Sequence, residues 1–457
     1  MRALALVEHV DRELDVLCLV RTLLKNNCSI TLDIANVSAD APPLLRGPIP
    51  NIVFFSSFYS AEWAVRRDYV SAWPNTKMVN LAWEQIFCPI DEPMHRPLDR
   101  FSRERIYYLA WSTDYRDFLV RNGVDKNNIE IVGHSLYQLY QSPWSDYFQP
   151  RSALAQQFDL NVNKRWVFIP ENYGFMHLTD SFIDVLTSGG MDRQVLLDVR
   201  AYCKSCMADL VQWADALAKR DDTEVIFRPR PSADARNFQR FFRETCNLAR
   251  PSFRFLKAET VREWVLASDV VMSSYSTVLV EAAVAGKIIR KVEPKPIPEY
   301  LLYEWYNLVD PVTSQEELIN AADPQVHDGG SQSLRNWAME RFFTSGFPIS
   351  RLIEAMASLI TAAHEVGIPN VRGPYKQLTP GWLAAIDPFL RPRARNILYR
   401  KYVPEYAHSV SGHDKDFFDL ADVTRRSRRW EDIVNSQPSF HHGTRPNKKD
   451  PGAAAVA

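Results

Sequence analysis

Between Thr223 and Lys287 the chain repeats one pattern three times: a short apolar run, a polar turn, then a helical stretch. Val225–Phe227 leads into Arg228-Pro-Arg-Pro231, Phe253–Leu256 into Lys257, and Val270–Met272 into Ser273-Ser-Tyr-Ser-Thr277. Apolar runs this short, each followed by a helix, fit strands of a parallel sheet covered on both faces. Such a sheet sets the carboxyl ends of its strands along one edge, and ligands bind there. On this edge the chain carries two arginines and a cluster of aliphatic hydroxyls, the groups that a phosphate needs.

The remaining chain reads the same way. Ala3–Val7, Ser29–Ile34, Asn51–Phe55, Lys77–Trp83, Ile106–Trp111 and Ile129–Val132 have the composition of strands. Asp11–Lys25, Ala61–Val70 and Thr113–Asn122 have helical spacing, the last closed by Gly123. Ala41–Pro50, with four prolines, reads as a loop. A second α/β unit opens at Trp166–Ile169. It continues through a long helix at Asp192–Lys219, and Thr313-Ser-Gln-Glu316 reads as a capping box. Asn336–Phe343 and Ile349–His364 read as helices. The expected fold class is therefore α/β, with two Rossmann-like domains. Residues 1–142 form the first and 143–368 the second, with Pro143–Pro150 as a linker. Residues 369–434 form a helical extension and 435–457 a polar, disordered tail.

Composition narrows the classes. A length of 457 residues suits two or three domains. Lys plus Arg number 54 against 55 Asp plus Glu, a balance that gives no sign of a nucleic-acid partner. The N-terminal run lacks the features of a signal peptide, and no run of 18 apolar residues occurs. Six cysteines are too sparse for a disulfide framework, so the expected setting is the cytoplasm. Trp382–Tyr402, aromatic and arginine-rich, and the Arg425, Arg426, Arg428, Arg429 cluster admit peripheral contact with the inner face of a membrane. Packing back on the first domain is the favoured reading. The oligomeric state is not readable.

Each candidate site residue has an ordinary alternative. Ser273, Ser274, Ser276 and Thr277 precede a helix, where hydroxyls and free N–H groups can hold an oxyanion; N-capping by Ser276 alone is the plain reading. Glu281, one turn after Thr277, can accept two bonds from a ribose diol or be a solvated helix residue. Arg228 and Arg230 match phosphate oxygens, or form ion pairs with Asp234 or Glu224. Glu171 and Glu84 each end a strand, one per domain. Each is a candidate general base or stabiliser of positive charge, or a carboxylate holding backbone N–H groups. His134 follows a strand and can contact an acceptor, although a satisfied loop histidine is the commoner case. Cys203 and Cys206 form a lone C-x-x-C, read as packing residues. No Asp-x-Asp stands near a strand end, so no metal-bound diphosphate is indicated.

The RPRP…DVVMSSYSTVLVEAAVAGK run resembles the nucleotide-binding half of GT-B glycosyltransferases. It looks most like bacterial capsule and surface-carbohydrate transferases, including CMP-Kdo-dependent and polysialic-acid-type enzymes. Those carry a Ser-Ser/Ser-Thr element, matched by Ser273-Ser274 and Ser276-Thr277, and a His-Pro element, where this chain has Arg230-Pro231. VNLAWEQI, the WSTDYRDFLVRNGVDKNNIEIVGHS run and FIPENYGF resemble surface carbohydrate biosynthesis proteins. The resemblance implies a nucleotide on the second domain, an acceptor on the first, and final helices crossing back to the first. It implies sugar transfer from a nucleotide-sugar donor, CMP-linked in some relatives, to a glycan or glycolipid acceptor, with neither cofactor nor metal. The alternatives are a nucleotide-sugar 2-epimerase, a CDP-glycerol-type polyol-phosphate transferase, and a non-catalytic carbohydrate-binding or assembly protein.

Overall fold

The computed structural model describes residues 2–38, 40–188, 190–230, 252–326, 330–344, 346–367, 371–373, 381–386, 390, 394, 397–398, 401–402 and 417–436. Strands β1 (Ala3–Val7), β2 (Leu32–Asn36), β3 (Ile52–Phe55), β4 (Lys77–Asn80), β5 (Ile106–Ala110) and β6 (Ile129–Ile131) form one sheet in the order β2-β1-β3-β4-β5-β6. Strands β7 (Arg165–Pro170), β8 (Thr223–Arg228), β9 (Phe253–Phe255), β10 (Val270–Ser273), β11 (Ile288–Val292) and β12 (Pro311–Val312) form a second, in the order β12-β11-β10-β7-β8-β9. Every pairing is parallel. All the strands expected from the sequence are present, including the one expected at Ile288–Val292, and β12 is an addition.

The strand orders locate the ligand-binding edges. The chain reverses its direction of travel between β1 and β3 in the first sheet and between β7 and β10 in the second. At such points the two outgoing loops diverge and leave a crevice beyond the carboxyl ends. The crevice of the second sheet opens beside Glu171 and the 273–277 hydroxyls. That of the first opens at the loop after β1.

Helices follow the strands with local differences from expectation. A widened π turn at Val10–Leu14 precedes α1 (Asp15–Cys28), so the expected helix from Asp11 starts irregularly. Ala41–Arg46 is helical and not a loop, because Pro42 and Pro43 fall in its first turn, where the missing N–H groups have no intrahelical partner anyway. The cap near Thr313 sits one residue later than expected. Ser314 accepts from the Glu317 N–H (3.2 Å), and Glu317 accepts from the Thr313 N–H (2.7 Å). In α2 (Arg193–Leu217) Cys203 and Cys206 are buried, and Cys203 shares a hydrogen bond with the Tyr275 hydroxyl (3.2 Å). Two shorter helices, α3 (Val261–Ala267) and α4 (Val278–Val284), flank β10.

The chain then returns to the first unit. Helix α5 (Pro348–Glu365) packs on α1 and β3, and α6 (Leu420–Asn435) lies along α1. Trp430 of α6 is fully buried; its ring stacks on Tyr147 (3.9 Å, 9°) and its Nε1–H donates to the Asp15 carbonyl (2.8 Å). The Asp15 carboxylate accepts from the Tyr147 hydroxyl (2.8 Å) and pairs with Arg426. Part of the basic cluster therefore faces the protein, and Pro143–Pro150 is a buried aromatic bridge. About half of Trp382–Tyr402 and all of 437–457 lie outside the described residues. Among the described residues no helix is long and apolar enough to cross a membrane. Trp430→Ala removes the ring that joins α6 to α1 and to the Pro143–Pro150 segment. A loss of about 3–5 kcal/mol is expected, read as a lower urea midpoint; a loss below about 1 kcal/mol would contradict this packing role.

Candidate active site

The carboxyl-end edges of the two sheets enclose a cavity of about 300 Å³. From the second unit, Glu171, Arg228, Arg230, Ser276, Thr277 and Glu281 line it; from the first, Glu84 and His134. Ser273 and Ser274 do not reach it. The Ser273 hydroxyl donates to the Pro170 carbonyl (2.6 Å) and ties β10 to β7, and Ser274 is buried behind the strand end. The hydroxyl cluster therefore divides into an inward pair and an outward pair.

On the second unit, Ser276 lines the cavity and its Oγ accepts from the Val278 N–H (3.3 Å), but it is not the N-cap of α4. Thr277 stands at the N-cap of α4 without a side-chain capping bond. Glu171 is buried and accepts from two backbone donors, Tyr173 N–H and Arg230 N–H, each at 2.8 Å. It thereby shapes the Arg-Pro-Arg turn. Burial pushes its carboxyl up, against the opposing pull of those N–H groups and the Arg230 charge. Arg230 is exposed to the cleft, and among the described residues no carboxylate pairs with its guanidinium. It lies over Gly174, where a Cβ would stand 2.9 Å from Nη1. Arg228 is buried and pairs with Asp11 of the first unit (3.2 Å), not with Glu224; Asp234 lies outside the described residues. Glu281 accepts from the Tyr140 hydroxyl. Burial pushes its carboxyl up, against the charge of Arg262 and the Tyr140 bond.

On the first unit, Glu84 pairs with Arg12 and faces His95 Nε2 at 3.6 Å. Burial would raise its carboxyl, but Arg12 and His95 outweigh it and hold the group well below the usual range. His134 is sandwiched between Trp111 (3.5 Å) and Tyr137 (3.6 Å). Burial, with the Arg262 charge, keeps it neutral. Its Nδ1 is buried without a hydrogen-bond partner. Gly133 before it has φ +78°, and a Cβ there would meet the Phe342 carbonyl at 2.5 Å, so the turn requires glycine.

Asp11, Arg12 and Arg262 also line the cavity, and sequence reasoning missed them. The Glu-His-Val-Asp-Arg-Glu run after β1 carries the same strand-end signal as Arg228-Pro-Arg. It was masked by the helical spacing that follows. Arg262 sits in the first turn of α3 and gave no local signal.

No family model matches the sequence, and no curated protein is significantly similar to it. Solved structures do match in three dimensions. A UDP-GlcNAc 2-epimerase from Neisseria meningitidis bound to UDP-GlcNAc superposes with a TM-score of 0.51 at 8% identity, over 78% of this chain and 100% of that one. The UDP-GlcNAc 2-epimerase of Methanocaldococcus jannaschii, in complex with UDP-GlcNAc and UDP, gives 0.51 at 12% identity, over 78% and 100%. A variant of the wall teichoic acid polymerase TagF with CDPG gives 0.50 at 12% identity, over 80% and 90%. The chain has the GT-B fold. The two facing parallel sheets and the helices that return to the first are the features of that fold expected from the sequence.

Beside the GT-B cleft, Glu263 of α3 gives a pH test of its buried wall. Burial pushes its carboxyl up from 4.5 to about 7, against the Thr260 hydrogen bond and helped by the Asp15 charge. The folded state therefore holds this proton more tightly than the unfolded state. The stabilisation is complete below the ordinary value and is lost as pH rises through about 7. Relative to Glu263→Gln, the wild type should lose roughly 3 kcal/mol across that window. Urea unfolding of both proteins at several pH values measures this; parallel pH curves would contradict it.

Proposed function

We propose that the chain is a glycosyltransferase that moves a sugar from a nucleotide-sugar donor to a surface glycan or glycolipid acceptor. The observation that carries this reading is Arg230. Its guanidinium is exposed and unpaired among the described residues, and it lies at the carboxyl-end edge of a GT-B second sheet, in one cavity with Ser276 and Thr277. Arginine's planar fork fits phosphate oxygens. In this role Arg230 and the hydroxyls bind the leaving phosphate and offset the charge that grows on it as the glycosidic bond breaks. Glu281 takes the ribose. Catalysis on this reading uses these arginine charges and requires no metal.

The carboxylates divide the remaining work. Glu171, raised by burial, is the stronger base for the acceptor hydroxyl. Glu84, held ionised, suits stabilisation of positive charge on the sugar. The acceptor enters along Trp111 and His134 of the first unit. Closure of the two units excludes water and limits donor hydrolysis. The capsule-type acceptor, a CMP-linked donor, a cytoplasmic setting and contact with the inner membrane face follow the likeness seen in the sequence.

A nucleotide-sugar 2-epimerase is the second reading, favoured by the glutamates Glu84, Glu171 and Glu281, which with Asp11 place four carboxylates around one cavity. Incubation with CMP-, UDP-, CDP- and GDP-linked substrates, with and without a glycan acceptor, separates the two readings. Transfer needs the acceptor, whereas an epimerase alters the sugar without it. Phosphorus label in the acceptor would instead mark a polyol-phosphate transferase. Losing a charge-assisted bond of about 1.5–3 kcal/mol, Arg230→Ala should lower kcat/KM by roughly 10–100-fold. Unchanged turnover in a folded Arg230→Ala protein would remove the phosphate role.

A further inference from the structure

Two buried arginines of the second unit grip the loop after β1. Arg228, 4% exposed, donates through Nη2 to the Asp11 carboxylate (3.2 Å) and the Glu259 carbonyl (2.8 Å). Arg262, 2% exposed, donates to the backbone carbonyls of Asp11 (3.1 Å) and Arg12 (2.8 Å). Among the described residues the buried Nε–H of each has no hydrogen-bond partner. Among the described residues no carboxylate pairs with Arg262. Both side chains line the cavity, and so does Asp11.

A buried guanidinium bonded only to neutral carbonyls is costly, as is a buried donor left unmade. Among the described residues Asp11 is the one carboxylate hydrogen-bonded to the pair, on Arg228 alone; Glu281 and Glu263 act on these cations at longer range, and burial raises both of those carboxyls. Asp11 is also the least buried of the three, with a side chain 34% exposed. A group about a third in solvent can leave without a large packing loss, whereas the two arginines cannot.

We propose that Arg228 and Arg262 form an inner anion subsite for the phosphates of the ligand, and that Asp11 is its exchangeable counter-ion in the free protein. This rests on the nucleotide-sugar reading of the cleft and extends it from Arg230 inward. Entry of a diphosphate replaces the Asp11 carboxylate on Arg228 and supplies acceptors to the unmade Nε–H groups. No covalent bond changes in the exchange. The cation pair sorts ligands by charge, because a neutral or singly charged group competes poorly with a carboxylate already in place. It also couples phosphate binding to the interface, since Asp11 belongs to the first unit and both arginines to the second.

The test is calorimetric titration of inorganic pyrophosphate into the full chain. Asp11→Asn keeps the side chain's size and removes the competing charge. It should bind pyrophosphate at least fivefold more tightly than wild type, and Arg262→Gln at least tenfold more weakly. Circular dichroism and a cooperative melt establish folding of each protein, and Asp11→Ser replaces Asp11→Asn if the latter does not fold. Pyrophosphate affinity in a folded Asp11 variant equal to or weaker than wild type overturns the proposal, as does an Arg262→Gln protein that binds like wild type. If nucleotides bind the wild type while Asp11 variants show no gain, this inference falls and the nucleotide reading stands. If the pyrophosphate changes appear but no nucleotide sugar is turned over, the anion subsite stands and the transferase reading falls.

Discussion

In each sheet every strand runs the same way, and that constraint makes the rest of the structure possible. A parallel sheet needs a crossover after each strand, so its polar turns fall alternately on two edges, and all the carboxyl-end turns share one. Here two such edges face each other. Glu171, Arg228, Arg230, Ser276 and Thr277 come from turns far apart in sequence and still line one cavity, because the strands before them are in register. The returning helices secure the arrangement from behind. Asp15, at the start of α1, receives Tyr147 from one later part of the chain and Arg426 and Trp430 from another, α6.

The cavity holds like groups in unlike states. Glu84 is held ionised by Arg12 and His95, while burial raises Glu171 and Glu281 and keeps His134 neutral. Separated proton affinities in one cleft are characteristic of sites that do chemistry, although structural ion networks also produce them. Arg230 distinguishes this cavity from a purely structural network. Its guanidinium is exposed and, among the described residues, paired with no carboxylate, whereas Arg12 pairs with Glu84 and Arg228 and Arg262 are held by the first unit.

The strands were legible because buried parallel strands are written as unbroken apolar runs, as in Ile52–Phe55 and Val270–Met272. The helix at Ala41–Arg46 was not, because prolines that usually break a helix are tolerated in its first turn. The site was half legible. Strand ends locate side chains along an edge, which brought Glu171, Arg230 and Glu84 to the same place. They do not say which face a side chain takes, so Ser273 and Ser274, identical in pattern to Ser276, turned inward. Nor do they report contacts between units. The grip of Arg262 on Asp11 and Arg12 spans about half the chain and leaves no local mark.

The central claim is that this cleft binds a nucleotide through its phosphates. Isothermal titration of CMP, UDP, CDP and GDP into the wild-type chain tests it most directly. The account predicts that at least one of them binds with a stoichiometry of about one, that the bound form melts at a higher temperature by mass action, and that added salt weakens the binding. Failure of all of them to bind at about millimolar concentration would contradict the account.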